Sequence, residues 1–408
     1  MKPLLSLLAI ALLLPITPAS AQQPIWTGSW AAAPVAAPAT EKLIGPSGAT
    51  FRDIVHLSLG GRAIRLRISN EFGTTPLTIA GVHVALDAPA GATGSAGATQ
   101  PGTDHGVTFN GAASVIIPAG TLAVSDPILM PVAAFADLAV SLFVPAQPGA
   151  TLTLHSLAVS TNYVAAGDAT AAASLPDAAK VTSWHLLKAV DVDAGPRASA
   201  IVALGASITD GYHSTPDKNL RWPDDLAARL HANPATAHIG VLNEGIGGAR
   251  ILHDVTGPSA LARLDRDVLA QPGARYLIIA MGTNDIGRTF FPVLPDEAPV
   301  TAQKLEWGLQ QIVVRAHARG IKVIATTLNP YGGAGYYNAE GDAMRQNFNT
   351  YVRTSGVSDG YIDFDKATRD PDRPERLLPA YDSGDHLHPN DVGYKVMADA
   401  IDLKLFTR

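Results

Sequence analysis

Residues 198–211 read ASAIVALGASITDG. The apolar run 198–204 has the length of a buried β-strand. Gly205 and Gly211, which lie on either side of residues 206–210, permit a sharp turn. The turn therefore presents Ser207 at the carboxyl end of the predicted strand. A serine in this position is most often a helix cap. The same position also suits an exposed nucleophile. This segment alone leaves both interpretations open.

The sequence after Pro196 alternates apolar runs with segments of helical periodicity. Strands are predicted at 198–204, 239–242, 276–280, 322–327 and 361–363, and helices at 222–231, 260–269, 302–319, 342–354 and 391–405. Strands that alternate with helices of this length indicate an α/β fold with a parallel sheet covered on both faces. Such sheets bind ligands beyond the carboxyl ends of their strands, which is where Ser207 is expected.

The first half of the chain has a different periodicity. Apolar and polar residues alternate along several short segments, for example at Val55, Leu57 and Leu59, and Gly, Pro, Asp and Asn separate these segments. This pattern predicts an all-β domain, an antiparallel sandwich or jelly roll. At 408 residues the chain is long enough for two domains, and we place them at 22–195 and 196–408.

The N-terminal segment 1–21 has the features of a secretory signal peptide. Lys2 supplies a positive charge, the run 4–16 is apolar, and residues 19–21 read ASA, a small-residue cleavage pattern. A membrane anchor is the alternative, but this run is shorter than the roughly 20 residues that span a bilayer. We therefore predict cleavage before Gln22, export to the periplasm or the extracellular medium, and no stable membrane insertion.

Composition excludes several classes of partner and chemistry. The formal net charge is -6 and the basic residues are scattered, so a nucleic acid partner is not expected. The absence of cysteine excludes disulfides, thiolate metal sites and a cysteine nucleophile. We predict neither a metal nor a cofactor, and the sequence indicates no particular oligomeric state.

Two further strand ends carry suggestive residues. The second predicted strand runs into NEGIGGAR, residues 243–250, and the third into MGTND, residues 281–285. Glycines let backbone N–H groups approach a developing oxyanion, and the Asn284 amide donates without carrying charge. Each segment alone is also ordinary turn or anion-binding sequence. Their agreement with the serine turn favours an oxyanion site at this edge of the sheet.

Residues 382–390, close to the C-terminus, read DSGDHLHPN. Asp385 lies three residues before His388 and can hold its carboxylate against imidazole Nδ1, which fixes the tautomer in which Nε2 accepts a serine proton. Two histidines and an aspartate can instead ligate a metal, but no partner motif or ligand cluster appears elsewhere in the sequence. We assign no catalytic role to His386.

In this order, the four segments resemble the sequence blocks of the SGNH hydrolases, also called the GDSL lipase/esterase family. The resemblance covers roughly residues 197–408 and implies a flavodoxin-like three-layer α/β/α fold. It implies that Ser207 is the nucleophile and that His388 is the base, oriented by Asp385. It also implies an oxyanion hole made by the N–H of Ser207, Gly248 and Asn284.

The chain departs from the family pattern in one place. The common GDSL string reads GASI here, with Ala206 in place of the aspartate, so a role of that carboxylate is missing or is taken by a neighbour such as Asp210. In the first half, WTGSW at 26–30 and LRISNEFG at 66–73 resemble the β domain that precedes the catalytic domain in a bacterial subgroup. Some members of that subgroup are carbohydrate esterases.

These resemblances imply a serine esterase, and we expect short acyl groups, above all acetyl groups, on a small-molecule or glycan ester. Two alternatives stay open: a lipase, phospholipase or aryl esterase of the same family, and a polysaccharide-binding protein with an inactive hydrolase domain. An ordinary α/β-hydrolase is disfavoured because its G-x-S-x-G elbow is absent. Five aromatic residues in loops are expected to rim the site: Phe290, Phe291, Tyr331, Tyr336 and Tyr337.

Overall fold

The computed structural model describes residues 24–40, 42–88, 96–147, 149, 151–291 and 298–407. The predicted signal peptide, residues 1–21, lies outside the described residues. No helix in these described ranges is both long enough and apolar enough to cross a bilayer.

The N-terminal region is rich in strands, as its two-residue periodicity predicts. Between residues 24 and 195, the described segments hold these strands: β1 Trp26–Ala31, β2 Val35–Ala36, β3 Ala49–His56, β4 Ile64–Asn70, β5 Leu77–Ile79, β6 Gly81–Leu86, β7 His105–Gly106, β8 Val115–Ile117, β9 Thr121–Val124, β10 Asp137–Val144, β11 Thr153–His155, β12 Asn162–Ala166, β13 Ala179–Val181, β14 Trp184–His185 and β15 Leu187–Asp193. They form antiparallel sheets in the orders β1-β15-β4-β9, β13-β12-β3-β10-β6-β7, β14-β11-β2 and β5-β8. The jelly-roll arrangement itself stays a prediction.

The C-terminal region contains the predicted parallel sheet. Its strands are β16 Ser199–Gly205, β17 Ile239–Gly245, β18 Ala274–Ala280, β19 Lys322–Thr326 and β20 Gly360–Ile362. Their spatial order is β17-β16-β18-β19-β20, which is the flavodoxin-like order 2-1-3-4-5. Such sheets bind ligands where the strand order reverses. The reversal lies at β16, the strand that runs into Ser207.

Helices cover both faces of this sheet. They are α1 Ser207–Asp210, α2 Trp222–Ala232, α3 Ala260–Leu264, α4 Thr283–Phe290, α5 Ala302–His317, α6 Ala339–Thr354, α7 Phe364–Thr368 and α8 Asp391–Asp399. Along β16 the buried side chains alternate, because Val202 and Leu204 join the core under α3, α5 and α6 while Ile201 and Ala203 join the core under α2 and α8. The predicted three-layer arrangement is therefore confirmed.

Two predicted helices change pitch or end early. The segment predicted as one helix at 260–269 continues from α3 as a π-helical turn, Asp265–Leu269, in which buried Asp267 accepts hydrogen bonds from Arg263 and Arg266. The helix predicted at 391–405 ends at Asp399, and a separate 3-10 turn follows at Leu403–Phe406 because the Asp402 side chain accepts from the Lys404 N–H.

The N-terminal strands pack against the open edge of the parallel sheet. Strand β17 lies at that edge, and β1 packs against it. The Val241 N–H has no acceptor on another strand of the parallel sheet and donates instead to Ser58 Oγ at 2.9 Å. Arg67 donates across the same boundary to Gln271 Oε1 at 3.1 Å. The edge is thus capped by buried hydrogen bonds, and the two regions share part of one apolar core.

Candidate active site

Strand β16 and helix α1 meet in a turn that only glycine fits at its first position. A Cβ on Gly205 would lie 1.9 Å from Thr209 Oγ1. Ser207 is the first residue of α1, and the N-cap position belongs to Ala206, which makes no side-chain cap bond. The cap interpretation of Ser207 is therefore wrong, and its half-buried hydroxyl is available to another group.

That group is the imidazole of His388. His388 Nε2 lies 2.8 Å from Ser207 Oγ, and His388 Nδ1 lies 2.6 Å from Asp385 Oδ2. The other carboxylate oxygen, Asp385 Oδ1, accepts the backbone N–H groups of Leu387 and His388, each at 2.9 Å. The short loop therefore orients its own aspartate, which in turn fixes the ring that faces the serine.

The charges of this pair suit proton transfer. Burial lowers the pKa of His388, and this effect outweighs the opposing influence of the Asp385 carboxylate; nearby His213 lowers it further. Partial burial acts to raise the pKa of Asp385, but hydrogen bonds from the His388 backbone and ring hold it well below its usual range. At neutral pH the structure therefore pairs a neutral imidazole with an ionised carboxylate.

We expect kcat/KM to fall on acidification with a midpoint below 6.5, the ordinary pKa of histidine. The reason is that only the neutral ring accepts a proton, and a lowered pKa keeps His388 neutral to a lower pH. A pH-rate profile measures this midpoint, and a value at or above 6.5 would contradict the expectation. His386→Asn is the control, because His386 lies two residues away but pairs with Asp382 and should leave the midpoint unchanged.

The candidate oxyanion donors follow three neighbouring strands. Gly205 is paired with Gly245 on β17 and with Ala280 on β18, so these strand ends lie side by side. Gly248 adopts a φ of 76°, and a Cβ there would also meet Thr256 Cγ2 at 2.9 Å. Its N–H donates to no group within the described residues.

Asn284, the third candidate donor, is held at both ends of its amide. Its Nδ2 donates to Ala249 O at 3.0 Å, and its Oδ1 accepts from Tyr336 OH at 3.2 Å. One N–H of Nδ2 remains for a ligand. The N–H of Ser207 begins α1 and therefore has no acceptor inside the helix. The turn, the glycine loop and α4 thus bring three donors to one edge of the sheet.

Two residues at the site, His213 and Tyr212, had no catalytic signal in the sequence. His213 Nε2 lies 3.4 Å from Asp385 Oδ2, and the Tyr212 ring lies 4.7 Å from the His388 ring. Asp210 accepts the Gly247 N–H at 2.9 Å, so a carboxylate three residues after the serine does contact the glycine loop. Its spacing from Ser207 was the available signal.

The aromatic residues expected to rim the site do not all do so. Tyr336 contacts Asn284 through its hydroxyl, whereas Tyr331 is 1% exposed and belongs to the core. Within the described residues, ligand atoms of His213, Asp385 and His388 cluster within 4.8 Å and are the group that can hold a metal. The His386 ring is not part of this group and lies 2.5 Å from Asp382 Oδ2 instead.

Residues 203–396 match the profile of the GDSL-like Lipase/Acylhydrolase family. The chain carries a GDSL-like lipase/acylhydrolase domain. This domain contains the three strand ends and the C-terminal loop described above, and it makes the chain a hydrolase of the GDSL/SGNH type. Its parallel sheet is that of the SGNH hydrolase fold.

The GDSL-like domain is similar to several solved structures at low identity. A GDSL-like lipase from Bacteroides thetaiotaomicron is 21% identical, covers 51% of this chain and 88% of its own, and has a TM-score of 0.37. LAE5, an α/β hydrolase from the metagenome of Lake Arreo, is 23% identical, covers 52% of this chain and 96% of its own, and has a TM-score of 0.40. Axe2, an acetylxylan esterase from Geobacillus stearothermophilus, is 21% identical over 52% and 94%, with a TM-score of 0.40. No curated protein matches the chain.

Proposed function

We propose that this protein is a secreted serine esterase that removes short acyl groups, above all acetyl groups, from carbohydrate esters. The observation that carries the serine mechanism is the pair of contacts made by His388, 2.8 Å to Ser207 Oγ and 2.6 Å to Asp385 Oδ2. Both lengths are those of direct hydrogen bonds. The side chains proposed as nucleophile, base and orienting carboxylate are therefore in direct contact.

The reaction proceeds in two halves. Ser207 Oγ attacks the ester carbonyl carbon while His388 Nε2 takes its proton, and the tetrahedral oxyanion is stabilised by the N–H groups of Ser207 and Gly248 and by the Asn284 amide. The C–O bond to the alcohol then breaks, and the alcohol leaves with the proton from His388. Water attacks the acyl-serine with the same base, the acid leaves, and the proton returns to Ser207 Oγ.

The surroundings of the serine support a hydroxylated substrate. Tyr212 lies against His388, His213 lies near Asp385, and Tyr336 contacts Asn284; each of these side chains carries a polar atom on its ring. Such rings both pack against sugar faces and hydrogen-bond hydroxyl groups. A lipase or aryl esterase is the second candidate, and it requires a longer apolar surface for the acyl or aryl group.

The proposal includes export and a division of the chain. We propose that segment 1–21 is removed and that 22–195 forms a β domain which supports a catalytic domain at 196–408. The triad contacts argue against the alternative of a glycan-binding protein with a dead hydrolase domain. Mass spectrometry of the protein recovered outside the cytoplasm tests the cleavage, and the expected N-terminal residue is Gln22.

The substrate test compares acetylated xylan with p-nitrophenyl esters of increasing acyl length. We expect acetate release from the polymer and a kcat/KM that falls as the acyl chain lengthens. Ser207→Ala is the control for background hydrolysis. A preference for long chains would instead favour a lipase, and no turnover of any ester would favour the glycan-binding alternative.

A further inference from the structure

We propose that His155, a residue of the N-terminal strands, is a positioning residue that holds the oxyanion loop Gly247–Gly248 through the carboxylate of Asp210. This inference rests on the esterase function proposed above. It gives the N-terminal region a direct part in catalysis, beyond covering an edge of the sheet.

The Asp210 carboxylate joins the two regions. It lies in α1, three residues after the nucleophile. Asp210 Oδ1 lies 2.9 Å from His155 Nε2 on β11, and Asp210 Oδ2 accepts the Gly247 N–H at 2.9 Å. One carboxylate therefore connects a strand of the N-terminal region to the residue next to the candidate donor Gly248.

The surroundings of the His155 ring require it to donate from both nitrogens. Nδ1 lies 2.8 Å from Ala33 O, and Nε2 faces Asp210 and, at 3.2 Å, Leu157 O. Carbonyl and carboxylate oxygens are acceptors, so an imidazolium satisfies every contact. Burial acts to lower the pKa of His155, but the Asp210 carboxylate and the hydrogen bonds outweigh it and raise that pKa.

The pair is almost completely buried, with side-chain exposures of 5% for His155 and 3% for Asp210. Removing one member of such a pair leaves the other as an unpaired buried charge, which is unfavourable. Without the imidazolium, the Asp210 carboxylate lacks its buried partner and moves toward another one. This movement weakens its hydrogen bond to the Gly247 N–H.

The glycine loop needs this anchor. Two consecutive glycines have more backbone freedom than any other dipeptide, so the direction of the Gly248 N–H is not fixed by local sequence. The hydrogen bond to Asp210 fixes the Gly247 N–H, which belongs to the preceding peptide plane. A second set of hydrogen bonds connects α1 to the N-terminal region. Arg221 Nε donates to Asp210 O at 3.1 Å, and the same guanidinium donates to Ala158 O.

The test measures kcat and KM for a p-nitrophenyl ester with His155→Ala in the full chain. We expect kcat to fall about 10- to 100-fold, which is less than or similar to the loss of a whole oxyanion donor, with KM nearly unchanged. The affinity for an alkylboronic acid, which forms a tetrahedral adduct with the serine, should fall with kcat. Asp210→Asn should give a similar loss, and the double variant should lose little more, because both changes break one connection.

Two measurements separate positioning from general destabilisation. Ser58→Ala is a matched control, because it also removes a buried hydrogen bond between the two regions, from the Val241 N–H, but Val241 lies within β17 and Ser58 makes no described hydrogen bond to Gly247 or Gly248. It should lower the melting temperature with kcat unchanged. His155 and Asp210 border a cavity of about 900 Å³, so added imidazole should restore part of the activity of His155→Ala and should not affect Ser58→Ala.

If His155→Ala folds poorly, His155→Gln provides a second test, because its amide keeps one N–H for Asp210. This variant should retain more activity than the alanine variant even if the two have the same melting temperature. Two results would overturn the inference while leaving the esterase function intact. One is a wild-type kcat in a folded His155→Ala. The other is a fall in kcat in Ser58→Ala that follows its loss of stability. If the wild-type protein hydrolyses no ester, the function and this inference fail together.

Discussion

Replacing Ser207 with alanine should lower kcat by at least about 10⁴-fold, the usual cost of removing the nucleophile of a serine hydrolase. In the proposed mechanism the Ser207 oxygen forms the acyl-enzyme, and no other described serine contacts His388 Nε2. KM or substrate binding should change little, because the alanine methyl fills nearly the same space. Steady-state kinetics on a p-nitrophenyl acetate substrate measure both values.

The control for this substitution is Ser214→Ala. Ser214 lies seven residues later and is buried, and its hydroxyl donates to the Gly211 carbonyl at 2.7 Å. Its loss should lower stability slightly and leave kcat near the wild-type value. A Ser207→Ala variant that keeps more than about a tenth of the wild-type kcat would contradict the nucleophile assignment, since loss of a catalytic serine typically lowers kcat by far more.

Replacing Asn284 with alanine should lower kcat about 100- to 1000-fold and leave KM nearly unchanged. In the proposed mechanism its amide donates to the oxyanion in the transition state only, and removal of one such donor typically has this cost. The expected residual activity is measurable because the N–H groups of Ser207 and Gly248 remain. Single-turnover kinetics of acyl-enzyme formation measure the effect directly.

Asn70→Ala is the matched control for that variant. Asn70 is buried and its amide donates to Thr75 O and Ile117 O, both at 2.9 Å, within the N-terminal strands. We expect lower stability without a fall in kcat. A purely structural role for Asn284 would give the same pattern as Asn70, with kcat unchanged and the melting temperature lowered.

The sequence predicts the parallel sheet well because its strands are buried on both faces. Residues 200–204 form an unbroken apolar run, and the structure places β16 between β17 and β18. Strand ends and helix ends were less predictable, since they depend on tertiary contacts. The segment of helix α4, Thr283–Phe290, reads as a turn in the sequence. In the structure the Asp285 side chain does not close a turn but accepts the N–H groups of Ile251 and Leu252.

The candidate triad was accessible from the sequence because two of its members lie on one short loop. Asp385 and His388 are three residues apart, so a local turn suffices to join them, and the parallel fold predicts that Ser207 reaches the same edge. The residues that the sequence did not reveal come from distant segments. His155 lies in a strand of the other region and reaches Asp210 only through packing, and no local periodicity marks such a contact.

The assignment of Ser207 as nucleophile is tested most directly by covalent trapping. Incubation with an organophosphate, followed by intact-mass and peptide mass spectrometry, should show one phosphoryl group on the peptide that contains Ser207. The labelling rate should fall sharply in His388→Ala, because the imidazole that deprotonates the hydroxyl is then missing. A protein that stays unlabelled, or that carries the label on another residue, would contradict the serine mechanism.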